Sequence, residues 1–142
     1  MNARRLVAAV AAGSVSWFVL VVLSPRLSPV LAAAVYAVGA LICHQRPERS
    51  FHTAGAQWPV CGRCSGLYLA APFGAALAFF RRRTHDVRRV RLWLAIAAVP
   101  TALTLGLEWL DLASIGNVAR FVSALPLGAV AAFSVIRVVG RP

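Results

Sequence analysis

Five apolar runs separated by arginine clusters limit this chain more than any other feature. They cover residues 6–23, 30–43, 65–80, 92–107 and 121–140. A soluble domain of 142 residues has too little interior to hide them, because small domains bury a limited fraction of their surface. Hydrophobic residues make up 60% of the chain and charged residues 13%, against about 45–50% and about 25% in ordinary globular domains. Lipid must therefore solvate much of the surface. The expected class is all-α, a polytopic transmembrane bundle of four to five short helices, forming one integral membrane domain over residues 1–142.

Helices follow because a single helix satisfies its own backbone hydrogen bonds in lipid, whereas an open sheet cannot. A span needs about 20 apolar residues, within a range of about 17–25. The first and last runs meet that length. The three middle runs need flanking residues to complete a span, or else they enter the bilayer only part way. Small residues in GAALA (74–78) and GAVAA (128–132) suit close helix packing. No internal repeat or second domain is visible.

The net charge of +11 comes from fifteen arginines against four acids, with no lysine. In a soluble protein such a balance would point to nucleic acid. Here the arginines sit between apolar runs, where membrane proteins keep their cytoplasmic anchors, so the expected partner is the lipid bilayer and not nucleic acid. The stretch 81–91, RRRTHDVRRVR, reads as a cytoplasmic loop, and Arg137 and Arg141 read the same way. The polar loop 44–63 then falls on the outer face of the cell membrane, together with EWLD (108–111). Five crossings would strand Arg4 and Arg5 outside, and a re-entrant second run removes that conflict. The first run follows two arginines, as a secretory signal does. However, SPRLSP and not a small-residue cleavage site comes next, so retention is expected.

The loop and its borders read CHQRPERSFHTAGAQWPVCGRCSG (43–66) and hold all three cysteines and two of the three histidines. Cys61 and Cys64 form a CxxC at the expected start of the third helix, with Pro59 placed as a helix-entry residue. Residues three apart share a helix face. A helix N-terminus and the adjacent Arg63 favour the thiolate, which is both the reactive and the metal-binding form. Cys43 closes the second run and returns to the same border. Two chemistries fit. In the first, Cys43, Cys61 and Cys64 with His44 or His52 hold zinc as a Cys3His set, or copper(I), which prefers soft thiolates. In the second, Cys61 and Cys64 are a redox pair resolved by Cys43, and an oxidising outer compartment would favour it. A purely structural disulfide, with Cys43 as a small buried apolar residue, is the plain alternative. It would make the chain a structural membrane subunit.

Arg46, Arg49 and Gln57 add charge and hydrogen-bonding capacity, and Phe51, Trp58 and Tyr68 are candidate interfacial anchors. Arginine clusters also bind phosphate or carboxylate, which opens a lipid headgroup, a quinone-like molecule or a protein as partner. A second polar patch, GLEWLDLASIGNVAR (106–120), carries Glu108, Asp111, Asn117 and Arg120. Ionisable groups at membrane depth usually face a partner or a cavity. Arg120 paired with Glu108 or Asp111 is one expectation, and a proton-handling carboxylate beside the thiols is the other.

The segments Cys43-His44-Gln45, Arg49-Ser50-Phe51, Gly55-x-Gln57 and Pro59-Val60-Cys61-x-Arg63-Cys64-Ser65-Gly66-x-Tyr68 resemble the core of a family of small bacterial and archaeal membrane proteins catalogued as a domain of unknown function. Asn117, Arg120 and Gly128 resemble a looser Asn-x-x-Arg…Gly element of that family. Its acidic-Gly pair is not reproduced, since Leu105 and Gly106 stand near that place. The resemblance implies a membrane helix bundle and names no substrate.

Overall fold

In the computed structural model, residues 3–80 and 87–139 are described. Helix α1 (Ala3–Leu23) leads through a 3-10 turn, Ser24–Arg26, into α2 (Pro29–Ile42). A second 3-10 turn, Pro47–Arg49, precedes a hairpin of β1 (Ser50–Thr53) and β2 (Ala56–Cys61), and α3 (Gly62–Phe80), α4 (Val87–Trp109) and α5 (Asn117–Val139) complete the chain. The first six positions of the 81–91 stretch, and Arg141, lie outside the described residues.

Four helices, α1, α3, α4 and α5, are long and apolar enough to cross a membrane. Their outward faces stay apolar: Phe80 on α3 is 77% exposed and Leu103 on α4 is 62% exposed. In water those surfaces would be costly, and in hydrocarbon they are matched. The helices also run past the apolar stretches that announced them, because backbone hydrogen bonding continues through Arg88 and Arg89 of α4 and through Asn117 and Arg120 of α5.

Helix α2 has 14 residues, and at 1.5 Å per residue it is about 21 Å long, short of a bilayer core. It runs beside β2. The Tyr36 hydroxyl donates to the Gln57 carbonyl, and the Cys61 N–H meets the Cys43 sulfur at 3.2 Å. The turn that leads into α2 also packs on β2. Both ends of α2 therefore meet the same hairpin.

Residues 50–61, read from sequence as loop, pair as an antiparallel hairpin. Its two-residue turn is Ala54-Gly55, with φ of 52° and 78°, the positive pair that matches the twist of a tight hairpin. Pro59, expected at a helix entry, lies fully buried in β2, and the helix starts three residues later at Gly62. The register shifts between Ser50 and His52, so the ladder does not require an N–H at Pro59. A proline in a strand is confined to such positions.

Helices α3 and α5 make the principal contact of the bundle. Gly62, Gly66, Ala70, Gly74 and Ala78 recur every fourth residue along α3 and are all buried. They face Ala124, Gly128 and Ala132, a buried row of the same spacing on α5. The backbones touch there: a methyl group at Gly66 or Gly74 would overlap the carbonyl oxygens of Phe121 and Ala129. Such close approach is how small residues hold helices together in lipid. Helix α4 joins through the Thr101 hydroxyl, which donates to the Ser123 carbonyl at 2.9 Å. At the other end Leu6, Ala75, Ala78, Phe133 and Ile136 form the apolar core cluster.

Candidate metal centre

The three cysteines arrive on three different elements. Cys43 is the extended residue that ends α2, Cys61 ends β2, and Cys64 lies in the first turn of α3. All three are free, partly buried thiols, and their sulfurs lie within 4.8 Å of one another. Zinc–sulfur bonds of about 2.3 Å separate the sulfurs of one tetrahedral ion by about 3.8 Å, so a small inward adjustment would seat an ion. Cys43 lies outside the candidate spans. The neighbouring Cys61 side chain, and then that of Cys64, lower the Cys43 thiol below its usual range, against burial, which pushes it up.

Backbone geometry near the thiols is held by amides. Gln45 has a left-handed backbone, φ 49°, which is uncommon for a residue with a side chain. Its Nε2 donates to the carbonyls of Tyr36 and Pro59, both at 2.8 Å. The Gln57 amide returns a 2.6 Å bond to the Gln45 carbonyl. These bonds tie the end of α2 to β2, and so place Cys43 against Cys61. Ser50, fully buried, pairs with Cys61 across the hairpin.

The second polar patch folds against the first. Arg63, inside the CxxC, donates from Nη2 to Glu108 Oε2 at 2.7 Å. Arg120 donates from Nε to Glu108 Oε1 at 2.7 Å, so one buried carboxylate serves two guanidinium groups. Arg120 also reaches the Asn117 Oδ1 at 2.6 Å and the Glu48 carbonyl at 3.1 Å, while the Asn117 Nδ2 donates to the Ser50 carbonyl at 2.8 Å. The start of α5 thereby clamps the segment that leads into the hairpin.

A cavity of about 310 Å³ opens beside the sulfurs, lined by the three cysteines, His44, Gln45, Arg46, Arg49, Arg63 and Trp109. His44 is thus a neighbour of the thiols, but among the described residues the group whose ligand atoms converge consists of the three cysteines alone. His52 stands exposed on β1 opposite Gln57. Asp111 lines a different cavity with Glu48 and Ser114. The aromatics offered as interfacial anchors, Phe51, Trp58 and Tyr68, are half-buried and pack against other rings. Phe51 lies 5.2 Å from Trp58 and 5.9 Å from Phe121, Trp58 lies 6.4 Å from Phe18, and Tyr68 meets Trp17 edge-on at 6.2 Å. Sequence reasoning passed over Tyr36 and Thr104, whose hydroxyls support Gln57 and Arg63. The signal for both was a hydroxyl inside an otherwise apolar run.

The family described as predicted membrane protein (DUF2085) matches residues 43–134. An uncharacterised protein of Methanocaldococcus jannaschii is 34% identical over 107 residues, covering 75% of this chain and 66% of its own length. This chain therefore spans slightly less than two thirds of that relative. An uncharacterised protein of Methanothermobacter thermautotrophicus is 36% identical over 87 residues, covering 61% of this chain and 78% of its own. No solved structure matches.

Proposed function

We propose, from the premise that this chain belongs to the DUF2085 family of predicted membrane proteins, that it binds a soft or borderline metal ion, zinc or copper(I), through Cys43, Cys61 and Cys64. The observation that carries the reading is the convergence of three free sulfurs from three separate elements. A structural disulfide needs two sulfurs and leaves Cys43 unexplained, whereas a metal uses all three. Thiolate sets of this kind suit both ions. A fourth ligand would come from His44, at the cost of a rotation toward the sulfurs, or from a molecule in the adjoining cavity. The second arrangement matches metal sites that keep one position open.

Elemental analysis of detergent-purified protein tests this. About one equivalent of zinc or copper is expected in the wild type and about a tenth of that or less in Cys61→Ser, since loss of one of three thiolates removes the strongest kind of ligand present. Metal-free wild type that also fails to take up either ion would overturn the reading. One observation favours a second reading, thiol–disulfide exchange. The Cys43 sulfur lies within 4.8 Å of the Cys61 and Cys64 sulfurs, as a resolving thiol must lie close to its pair. Oxidation of the pair to a disulfide would pass two electrons and two protons to an acceptor of the quinone class. Metal-free protein with a readily reducible 61–64 bridge would move the assignment there.

We read residues 1–142 as one integral membrane domain with the cysteine cavity on the outer face. Four crossings, with α2 lying beside the hairpin, put Arg4, Arg5, the 81–91 arginines, Arg137 and Arg141 together on the cytoplasmic side, as the positive-inside rule asks.

A further inference from the structure

The cavity beside the thiols carries more positive charge than its own surroundings balance. Arg46, Arg49 and Arg63 line it with His44, and no carboxylate does. Glu108 is the carboxylate of both ion pairs among the described residues, and its two oxygens are turned to Arg63 and Arg120. Arg49 also borders the neighbouring cavity of Glu48, Glu108 and Asp111, yet among the described residues neither it nor Arg46 has a carboxylate within ion-pairing distance. Arg63 joins them from within the CxxC, its Nη2 held by Glu108.

We propose that this cavity is an oxyanion site, in which Arg46, Arg49 and Arg63 hold a phosphate-type group beside the three thiols. Guanidinium groups present paired N–H donors that match tetrahedral oxyanions. At about 310 Å³ the space lies at the small end of ligand sites, about 300–1,000 Å³, which limits the occupant to a free phosphate or the headgroup of a phospholipid. The mouth is bordered by Trp109, 76% exposed, and its neighbours Leu110 and Leu112 are 70% and 69% exposed. An apolar border of this kind would accompany an acyl chain. A three-thiolate zinc centre would carry a net charge of −1 and leave part of the arginine charge over, so the two readings are compatible, yet the oxyanion site does not depend on the metal.

The test uses the full chain in nanodiscs. Inorganic phosphate is titrated calorimetrically in zwitterionic lipid, and retention of phosphatidylglycerol is read by native mass spectrometry from mixed lipid. Neither the Arg46 nor the Arg49 side chain makes a hydrogen bond within the described structure, so Arg46→Gln/Arg49→Gln is not expected to unfold the protein. It is expected to weaken the occupied arm by about tenfold or more, the scale of losing a charge-assisted bond, while the exposed Arg89→Gln changes nothing. Phosphate binding lost in the double variant identifies a free oxyanion, and phosphatidylglycerol retention lost there identifies a lipid headgroup. Binding in neither arm overturns the proposal, as does equal weakening by Arg89→Gln. So does a double variant that binds like wild type. Metal content and uptake measured on the same samples separate the two readings: protein that is metal-free and takes up neither ion, yet still binds phosphate through these arginines, sinks the metal centre and leaves the oxyanion site standing.

Discussion

Glu108→Ala is expected to remove about 3–5 kcal/mol of folding stability, the cost of taking one partner out of a buried ion pair. The glutamate side chain is 7% exposed and its partners Arg63 and Arg120 are 13% and 10% exposed, so both guanidinium groups would lose their carboxylate while still largely buried. Two cations would then face each other with no carboxylate between them, and like charges repel. The loss is therefore local in origin but wide in reach, since Arg120 also holds the Glu48 carbonyl and Asn117, and Asn117 holds Ser50. Thermal unfolding in detergent measures it, and trimming one of the stranded charges in Arg63→Met/Glu108→Ala should recover part of the deficit. A Glu108→Ala protein as stable as wild type would show that the carboxylate is not the brace described above.

Gly74→Ala and Gly13→Ala are expected to have opposite signs. Alanine is favoured over glycine inside a helix by about 1 kcal/mol, and at Gly13 on α1 a new methyl meets nothing within 4 Å, so that variant should be as stable as wild type or slightly more so. At Gly74 the same methyl collides with the backbone of Ala129, including its Cα at 2.9 Å. Backbone cannot rotate aside as a side chain can, so α3 and α5 must separate and their small-residue contact opens along its length. Overpacking of this sort costs about 1–3 kcal/mol and occasionally more. The pair of melting curves checks it: a Gly74→Ala protein that gains stability would mean the helices do not meet where described.

Much of the bundle was readable along the chain. Runs 6–23, 92–107 and 121–140 became α1, α4 and α5, because hydropathy acts residue by residue and a helix needs no distant partner for its backbone. The hairpin was not readable. Its turn carries Ala54-Gly55 where Asn-Gly or Asp-Gly would have been a strong hairpin signal, and polar residues from Arg46 to Gln57 look like loop until their bonds are known. Arg120 was legible as needing a carboxylate, yet Glu108 and Asp111 were equal candidates. The fold chose Glu108 by aiming it inward and leaving Asp111 exposed at the end of α4.

By itself, then, the sequence determined that the chain lives in lipid, that it is helical, and that Cys61 and Cys64 are neighbours, since each follows from local hydropathy or from spacing of a few residues. Only the tertiary structure decided that Cys43 joins them from 18 residues away and that Glu108 serves both Arg63 and Arg120. It also left His52 exposed on β1, outside the converging group, and brought arginines rather than acids around the cavity. The physical reason is that burial demands a partner for each charge and thiol without naming it. The choice among candidates is made by which helix faces can approach closely, and here that approach is set by the glycines of α3 and α5.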